Sequence, residues 1–335
     1  YCSKNVLIKS RISGTDKPDY VIPFQVSETQ AVESFKTFFK KKAFIPNAFK
    51  KKNTIQEVSS LYVPYFLFSA DTDGTATFSA DIVETWSDGE YRYKETSHYR
   101  LYREGGIAFD HIPVDATIRV PNDLMECIEP FRLEDHVKFR SGYLAGYEAE
   151  KWEVSAAVCQ ERSNVRMHQG LMNALRGTIG AVYENVVLTG SSSKRFNETY
   201  IYALYPIWHL EVSWKDTKYD FAVNGDTGKV AGKYPISKWK FFFMILGILL
   251  GAGGIFFCAG FLGNDNDLIM GLACALIGGG IPALVTGLVV GRKLKKRVAY
   301  VIGASDYVRP GSFNLYKHSD VFLSKSVSKT KISKD

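Results

Sequence analysis

FFFMILGILLGAGGIFFCAGFL, residues 241–262, and LIMGLACALIGGGIPALVTGLVVG, residues 268–291, decide the architecture of this chain. Neither stretch carries a charge, and they are 22 and 24 residues long. A helix of about 20 apolar residues crosses a bilayer core of roughly 30 Å. Only Gly263, Asn264 and Asn266, with the two acids Asp265 and Asp267, stand between the runs. The pair predicts a transmembrane helical hairpin. Lys229, Lys233, Lys238 and Lys240 precede it with no acid among them, and Arg292, Lys293, Lys295, Lys296 and Arg297 follow it. Basic flanks remain on the cytoplasmic side of a membrane. Both ends of the hairpin are therefore expected in the cytoplasm and the Asp loop outside. Trp239 and Tyr300 stand where interfacial aromatics belong. A hairpin buried in a large soluble core is the competing explanation, and the paired basic clusters speak against it.

The second run carries a small residue at every fourth position: Gly271, Ala275, Gly279, Ala283, Gly287 and Gly291. The first offers Gly247 and Gly251. Such stripes let helices approach closely in lipid. They predict packing within the hairpin or a homo-oligomer of hairpins, and a Gly/Ala-rich span also produces them by chance. Pro282 predicts a kink. No ionisable residue lies inside either run, which favours an anchor over a proton or ion path.

The chain has 335 residues, of which 240 precede Phe241, enough for one large domain or two smaller ones. Aromatic residues make up 14% and argue for a β-rich fold. The net charge of +7 gathers near the predicted membrane and in the tail, so anionic lipid headgroups explain it at least as well as nucleic acid. Cys2, Cys127, Cys159, Cys258 and Cys274 are scattered and odd in number, which implies no disulfide framework and suits a reducing compartment. Tyr1 in first place predicts a missing upstream segment.

Ser27-Glu28-Thr29-Gln30 is a capping box that opens a helix to about Lys42, with Ala31, Phe35, Phe38 and Phe39 on one face. Lys40–Lys42 and Lys50–Lys52 flank the aromatic segment Phe44–Phe49, as a solvated helix end or a lipid contact. Period-two patterning predicts strands over Leu61–Asp71, Thr75–Trp86, Glu90–Tyr102 and Ile107–Val114, with Asp88-Gly89 as a hairpin turn. A short helix is expected over Pro121–Cys127 and a long one over Glu148–Arg176, weakened by Gly170. Tyr183–Leu188 reads as a strand and Thr189–Asn197 as a loop. Val63-Pro64-Tyr65-Phe66-Leu67-Phe68 recurs as Tyr205-Pro206-Ile207-Trp208-His209-Leu210. The expected fold class is therefore α+β: a β-rich cytoplasmic domain of two related β units joined by a long helix, then the hairpin. The expected boundaries are a remnant and linker strand (1–26), a first β unit with its N-terminal helix (27–147), the connecting helix (148–178) and a second β unit (179–236). The two spans (239–262 and 268–291) and a basic cytoplasmic tail (292–335) complete the chain. In the tail, Ser312–Ile332 alternates polar and apolar residues, as an added strand or a loose segment.

No H-E-x-x-H, G-x-S-x-G, G-x-G-x-x-G, P-loop or paired C-x-x-C occurs. Ser191-Ser192-Ser193-Lys194 matches S-x-x-K without its companion motifs. Asp71-x-Asp73-Gly74 lacks the later glutamate of a calcium loop and reads as a turn. Asp110 and His111 would point to opposite faces of a strand, so they are expected to be structural. His98, His136, His168 and His209 show no ligand spacing. Asn197-Glu198-Thr199 is a glycosylation sequon on the expected cytoplasmic side.

Tyr1-Cys2-Ser3 is followed by Lys17-Pro18-Asp19-Tyr20-Val21-Ile22-Pro23-Phe24. Phe44-Ile45-Pro46-Asn47, Leu61–Phe66, Tyr205–Trp208 and Val223–Lys229 add to the pattern. Together these resemble bacterial integral membrane proteins that carry an N-terminal zinc ribbon of the transcription-factor-IIB type. There the ribbon closes with C-P-Y-C and leads into K-P-D-x-x-I-P-F. The resemblance implies Cys2 as the fourth zinc ligand, with three more upstream of Tyr1. It implies zinc in the full-length protein and no cofactor in the segment in hand. A helicase label, sometimes attached to such ribbons, finds no motif here.

The favoured expectation is a non-enzymatic, membrane-anchored cytoplasmic binding or scaffold protein, with the ribbon recruiting a protein partner. Three alternatives stand beside it. One is a membrane-tethered zinc-ribbon nucleic-acid binder. Another is an enzyme with a dispersed site drawn from Asp71, Asp73, His209 and Glu211. The last is a pore of oligomerised hairpins.

Overall fold

The computed structural model describes residues 17–40, 42–50, 55–215, 217–263, 268–295 and 303–332. Cys2 and the start of the zinc-ribbon resemblance lie outside them, as does the Asp loop of the hairpin. Strand makes up 43% and helix 35%, so the protein is mixed α/β, with one large sheet and two apolar helices near the C-terminus.

In chain order the elements are β1 (Tyr20–Val21), α1 (Glu28–Lys40), β2 (Ile55–Ser87), β3 (Tyr91–Asp115), α2 (Asn122–Cys127), β4 (Val137–Lys138) and β5 (Glu148–Ala149). Then come α3 (Ala156–Gly177), β6 (Glu184–Trp214), β7 (Thr217–Asn224), β8 (Val230–Gly232), α4 (Lys238–Gly263), α5 (Leu268–Lys295) and β9 (Asn314–Lys331). The sheet runs β4-β1-β6-β2-β3-β9, with β5 on β2, β7 on β6 and β8 on β7. The capping box of α1 forms as expected: the Ser27 amide donates to Gln30 Oε1 at 2.8 Å, and the Gln30 amide donates to Ser27 Oγ at 3.3 Å.

The two aromatic Pro segments do not head separate units. They are neighbours in one sheet, where Tyr62 faces Pro206, Val63 faces Tyr205 and Pro64 faces Leu204 across antiparallel β2 and β6. Strand expectations that stopped at turns also fuse, because β2 runs straight through Asp73-Gly74-Thr75. Gly74 permits this, since a Cβ there would meet the Ser192 carbonyl and come within 2.9 Å of Leu171 Cδ2 of α3. The expected loop Thr189–Asn197 is part of β6. Bulges, not loops, absorb its irregularity. Asn185 and Asn197 take left-handed φ of 50° and 54° beside register shifts in β2. Their amides donate to Asp81 at 3.0 Å and to Asp71 at 2.8 Å. The Asp88-Gly89 turn is present, with Gly89 at φ 93°.

α3 begins at Ala156, eight residues later than expected, because Glu148–Ala149 is spent as β5 against Leu61 and Tyr62. Its apolar face covers one side of the sheet, with Met167, Leu171 and Leu175 on Phe78, Leu101 and Phe109. The opposite side packs Val63, Tyr65, Leu67 and Tyr205 against Leu124, Met125 and Phe131. A third cluster joins Ala31, Phe35 and Phe39 of α1 to Leu210, Phe221 and Val223. Within residues 303–332, β9 extends the sheet along β3 from Gly106 to Tyr91.

α4 and α5 are long and apolar enough to cross a membrane, and only 6% and 22% of their spans are buried. Exposed apolar surface of this extent marks a membrane or protein interaction site. The small-residue stripe of α5 does face α4. A Cβ on Gly279 would come within 2.8 Å of the Gly253 backbone, and Ala283 is buried. Gly253 rather than Gly247 or Gly251 makes the close approach, since nothing lies within 4 Å of a Cβ built on either of the latter. α5 continues through Pro282.

Candidate functional site

A concavity lies where α1, α2 and β8 meet. Its floor depends on the turn that follows β7. There the Asn224 Oδ1 accepts the amides of Asp226 and Thr227 at 2.9 and 3.0 Å. Asp226 is held in turn by Arg132, which also donates to the Asp226 carbonyl at 2.9 Å. This Asx turn delivers Lys229 so that its ammonium reaches the Glu129 carbonyl. The resulting groove holds about 620 Å³ and is lined by Lys42, Lys218, Lys229 and Lys233, by Asp123 and Asp220, and by apolar surface from Leu124, Val230 and Tyr234. Four ammonium groups meet the two lining carboxylates and a third, Glu211, at the rim, which leaves a small positive excess. Lys233 reaches Asp123 at 2.7 Å, and Lys218 reaches Glu211 at 2.9 Å. Lys42 lies over the Phe38 and Tyr234 rings at 4.4 and 5.6 Å. A second depression of about 710 Å³ shares Phe38, Lys42 and Val230.

This groove opens beside the first apolar helix. The Ser237 amide donates to the Phe44 carbonyl at 2.7 Å. Lys240 Nζ donates to the Ile45 carbonyl and to Asn47 Oδ1, both at 2.7 Å. Lys42 is two residues from Phe44 and Tyr234 three from Ser237, so both lie within about 11 Å of the docked start of α4.

A buried ionic knot sits behind the groove. Arg162 and Arg166, one turn apart on α3, wrap around β3 beyond the point where β9 stops. Arg166 donates to the Pro113 carbonyl at 2.7 Å and to both Glu129 oxygens at 3.1 and 2.6 Å. Arg162 donates to the Asp115 carbonyl at 3.1 Å, to Asp115 Oδ1 at 2.8 Å and to Glu126 Oε1 at 3.0 Å. Tyr307, from the segment after α5, donates to Glu129 Oε2 at 2.9 Å. Burial pushes the Glu129 carboxyl up to about 7 against the pull of Arg166 and Tyr307. Burial likewise raises Asp115, and it pushes the imidazole of His136, bonded to Tyr205 at 2.9 Å, down to about 4. Tyr65 faces Asp115 across the ladder, and Tyr65 OH and Asp115 Oδ2 are buried without a hydrogen-bond partner. The knot is closed to ligand, and it satisfies sheet-edge carbonyls while joining α3, β3 and the segment around Glu129.

The chain is 30% identical over 250 residues to "Uncharacterized protein YdjG" of Bacillus subtilis (strain 168), an overlap covering 75% of this chain and 72% of that protein. The chain belongs to the YdjG family. No family model matches it, and no solved structure matches it.

For this YdjG-family chain, the residues suspected of a dispersed active site do not come together. Ser59 faces His209 across the β2–β6 ladder, and Asp71 stands twelve positions further along β2. That separation is about 40 Å at about 3.3 Å per residue. His209 pairs with Asp220 at 3.0 Å, while Asp71 and Asp73 engage Arg309 and the Tyr316 hydroxyl. Asp110 is gripped by Arg309 at 2.9 and 2.7 Å, and His111 forms a bulge at φ 57°. The S-x-x-K match is a strand whose Ser193 and Ser191 hydroxyls meet His168 at 2.8 and 3.2 Å. His98 pairs with Asp81 at 2.7 Å. Among the described residues no three His, Cys, Asp or Glu side chains converge as a metal site, and Cys2 lies outside them. The zinc ligands implied by the resemblance, Cys2 and three upstream of Tyr1, all lie outside the described residues. Sequence reasoning did not single out Lys218, Glu129, Arg162 or Arg166 in the YdjG-family chain. The one available signal was the pair of arginines four apart, in line with Cys159, Ser163 and Gly170 on the buried face of α3.

Proposed function

We propose that this YdjG-family chain is a membrane-anchored, cytoplasm-facing binding or scaffold protein. One observation carries the reading: both ends of the apolar hairpin return to the same β domain. α4 starts docked on Phe44, Ile45 and Asn47, and the chain beyond α5 supplies Tyr307 to the knot and β9 to the sheet. A two-helix anchor with one domain at both ends holds that domain on a single side of the bilayer. The lysines and arginines flanking the helices favour the cytoplasmic side. A zinc ribbon closed by Cys2 would extend the partner-binding surface. The tethered nucleic-acid binder and the pore gain no support of their own from the geometry.

Alkaline carbonate extraction of membranes, with periplasm-type enzyme reporters inserted at the Asp265 loop or fused at the C-terminus, tests the reading. The expected result is a carbonate-resistant protein whose loop reporter alone is active. Recovery of the full chain in the aqueous fraction without detergent would refute the anchor. In-membrane crosslinking with mass spectrometry should return a recurrent protein neighbour linked to residues of the sheet, and the absence of any such neighbour would remove the scaffold role.

A further inference from the structure

The lysine-lined groove differs from an ordinary solvated patch in three respects. It is concave, with about 620 Å³ of space, within the range of ligand sites. Its charge is unbalanced, since Lys42, Lys218, Lys229 and Lys233 meet three carboxylates, those of Asp123, Asp220 and the Lys218 partner Glu211. Apolar surface from Leu124, Val230 and Tyr234 lies alongside those ammonium groups, so a ligand would be received by charge at one point and by greasy contact at another.

Position narrows the class of ligand. One edge of the groove, at Lys42 and Tyr234, lies within about 11 Å of the docked start of α4. The first two turns of α4 also present Trp239, Phe242 and Phe243, which are 71%, 52% and 60% exposed. Aromatic residues at the end of an apolar helix mark the headgroup level of a bilayer. A cationic cavity at that level faces the phosphates of its own membrane, where the local concentration of anionic headgroups far exceeds that of any dissolved phosphate ester. We infer that this groove binds the phosphate-bearing headgroup of an anionic phospholipid from the leaflet in which α4 begins. The phosphate sits among Lys218, Lys229 and Lys233, and the glycerol end lies against Tyr234 and Val230. The inference rests on the membrane-anchored reading and adds a specific lipid site to it.

Cys127 lines the groove and supplies a built-in reporter. The test uses the full chain in nanodiscs of phosphatidylcholine, with or without phosphatidylglycerol, and reads maleimide labelling of Cys127 by peptide mass spectrometry. Phosphatidylglycerol should slow that labelling, and rising salt should restore it. The Lys218→Gln/Lys233→Gln variant should lose the protection, by about fivefold in apparent lipid affinity for each lysine removed. Both side chains are largely exposed, at 68% and 65%, so the variant retains its fold. Equal labelling in the two lipid compositions overturns the inference. Protection by millimolar inorganic phosphate in pure phosphatidylcholine, with no effect of phosphatidylglycerol, also overturns it and assigns the groove to a soluble phosphate compound. Failure of the anchor itself registers separately, as a chain that does not co-elute with the nanodiscs.

Discussion

The Glu129 carboxyl, raised to about 7, makes the domain sensitive to pH in a defined direction. A carboxyl with a folded value above its unfolded one favours the folded state below the unfolded value, and that contribution is lost as pH rises through the folded value. Denaturation of the full chain in detergent should therefore show stability falling between about pH 5 and about pH 7. Glu129→Gln should flatten that fall, and an unchanged slope would assign it to other groups. Arg166→Ala leaves Glu129 buried without its cation and should cost about 3 kcal/mol in the same measurement at neutral pH. Gly74→Ala forces a methyl against the Ser192 carbonyl and Leu171, and a loss of about 1–3 kcal/mol is expected. At this scale little was legible beforehand. The buried face of α3 could be read from its period, but Glu129 lies 37 positions from Arg166 in an ordinary stretch, and only the fold joins them.

Elements with local causes were read correctly from the residues. The capping box set the start of α1, Asp88-Gly89 set the β2–β3 turn, and the uncharged runs set α4 and α5. Elements whose boundaries depend on distant partners were not. Glu148–Ala149 is helix-compatible, yet it pairs with β2 because Leu61 and Tyr62 offer a free edge. The serines at 191–193 suit a loop by composition, yet Thr75 and His168 engage their hydroxyls within the ladder. β9 belongs to the same class. It contributes Asp320 to the buried Arg103 at 2.5 Å and lays Phe322 on Tyr99 with ring centroids 5.6 Å apart. Truncation after Gly311 strips both from β3 and leaves Tyr91–Gly106 as a bare edge. Such a chain should self-associate, visible as a shift to larger species in detergent gel filtration. A monodisperse truncated chain would show that β3 needs no cover. The lysines on β9, Lys317, Lys325, Lys329 and Lys331, guard the edge that replaces it.

For the molecule as a whole, the two long apolar helices could be read from residues 241–291, and the groove could not. Its lysines come from two distant segments of the chain, the end of α1 with Lys42 and the β7–β8 hairpin with Lys218, Lys229 and Lys233. The expected division into two β units failed for a similar reason. Repeated Pro-aromatic segments look alike because they occupy adjacent rungs of one sheet, where the same two faces demand the same residues. The packing of α4 on α5 belongs to this scale too. Gly279→Leu should wedge the helices apart at Gly253 and lower the melting temperature of the full chain in detergent. An unaltered melting temperature would mean that the close approach contributes nothing.

Because β9 follows the hairpin in sequence, the ribosome must finish both membrane helices before it can supply the last strand of a sheet begun more than two hundred residues earlier. On the membrane-anchored reading proposed above, delivery into the lipid bilayer precedes completion of the water-facing fold. A newly made chain that misses its membrane presents an unfinished ladder to proteases and chaperones, so correct insertion and survival are tested in a single event.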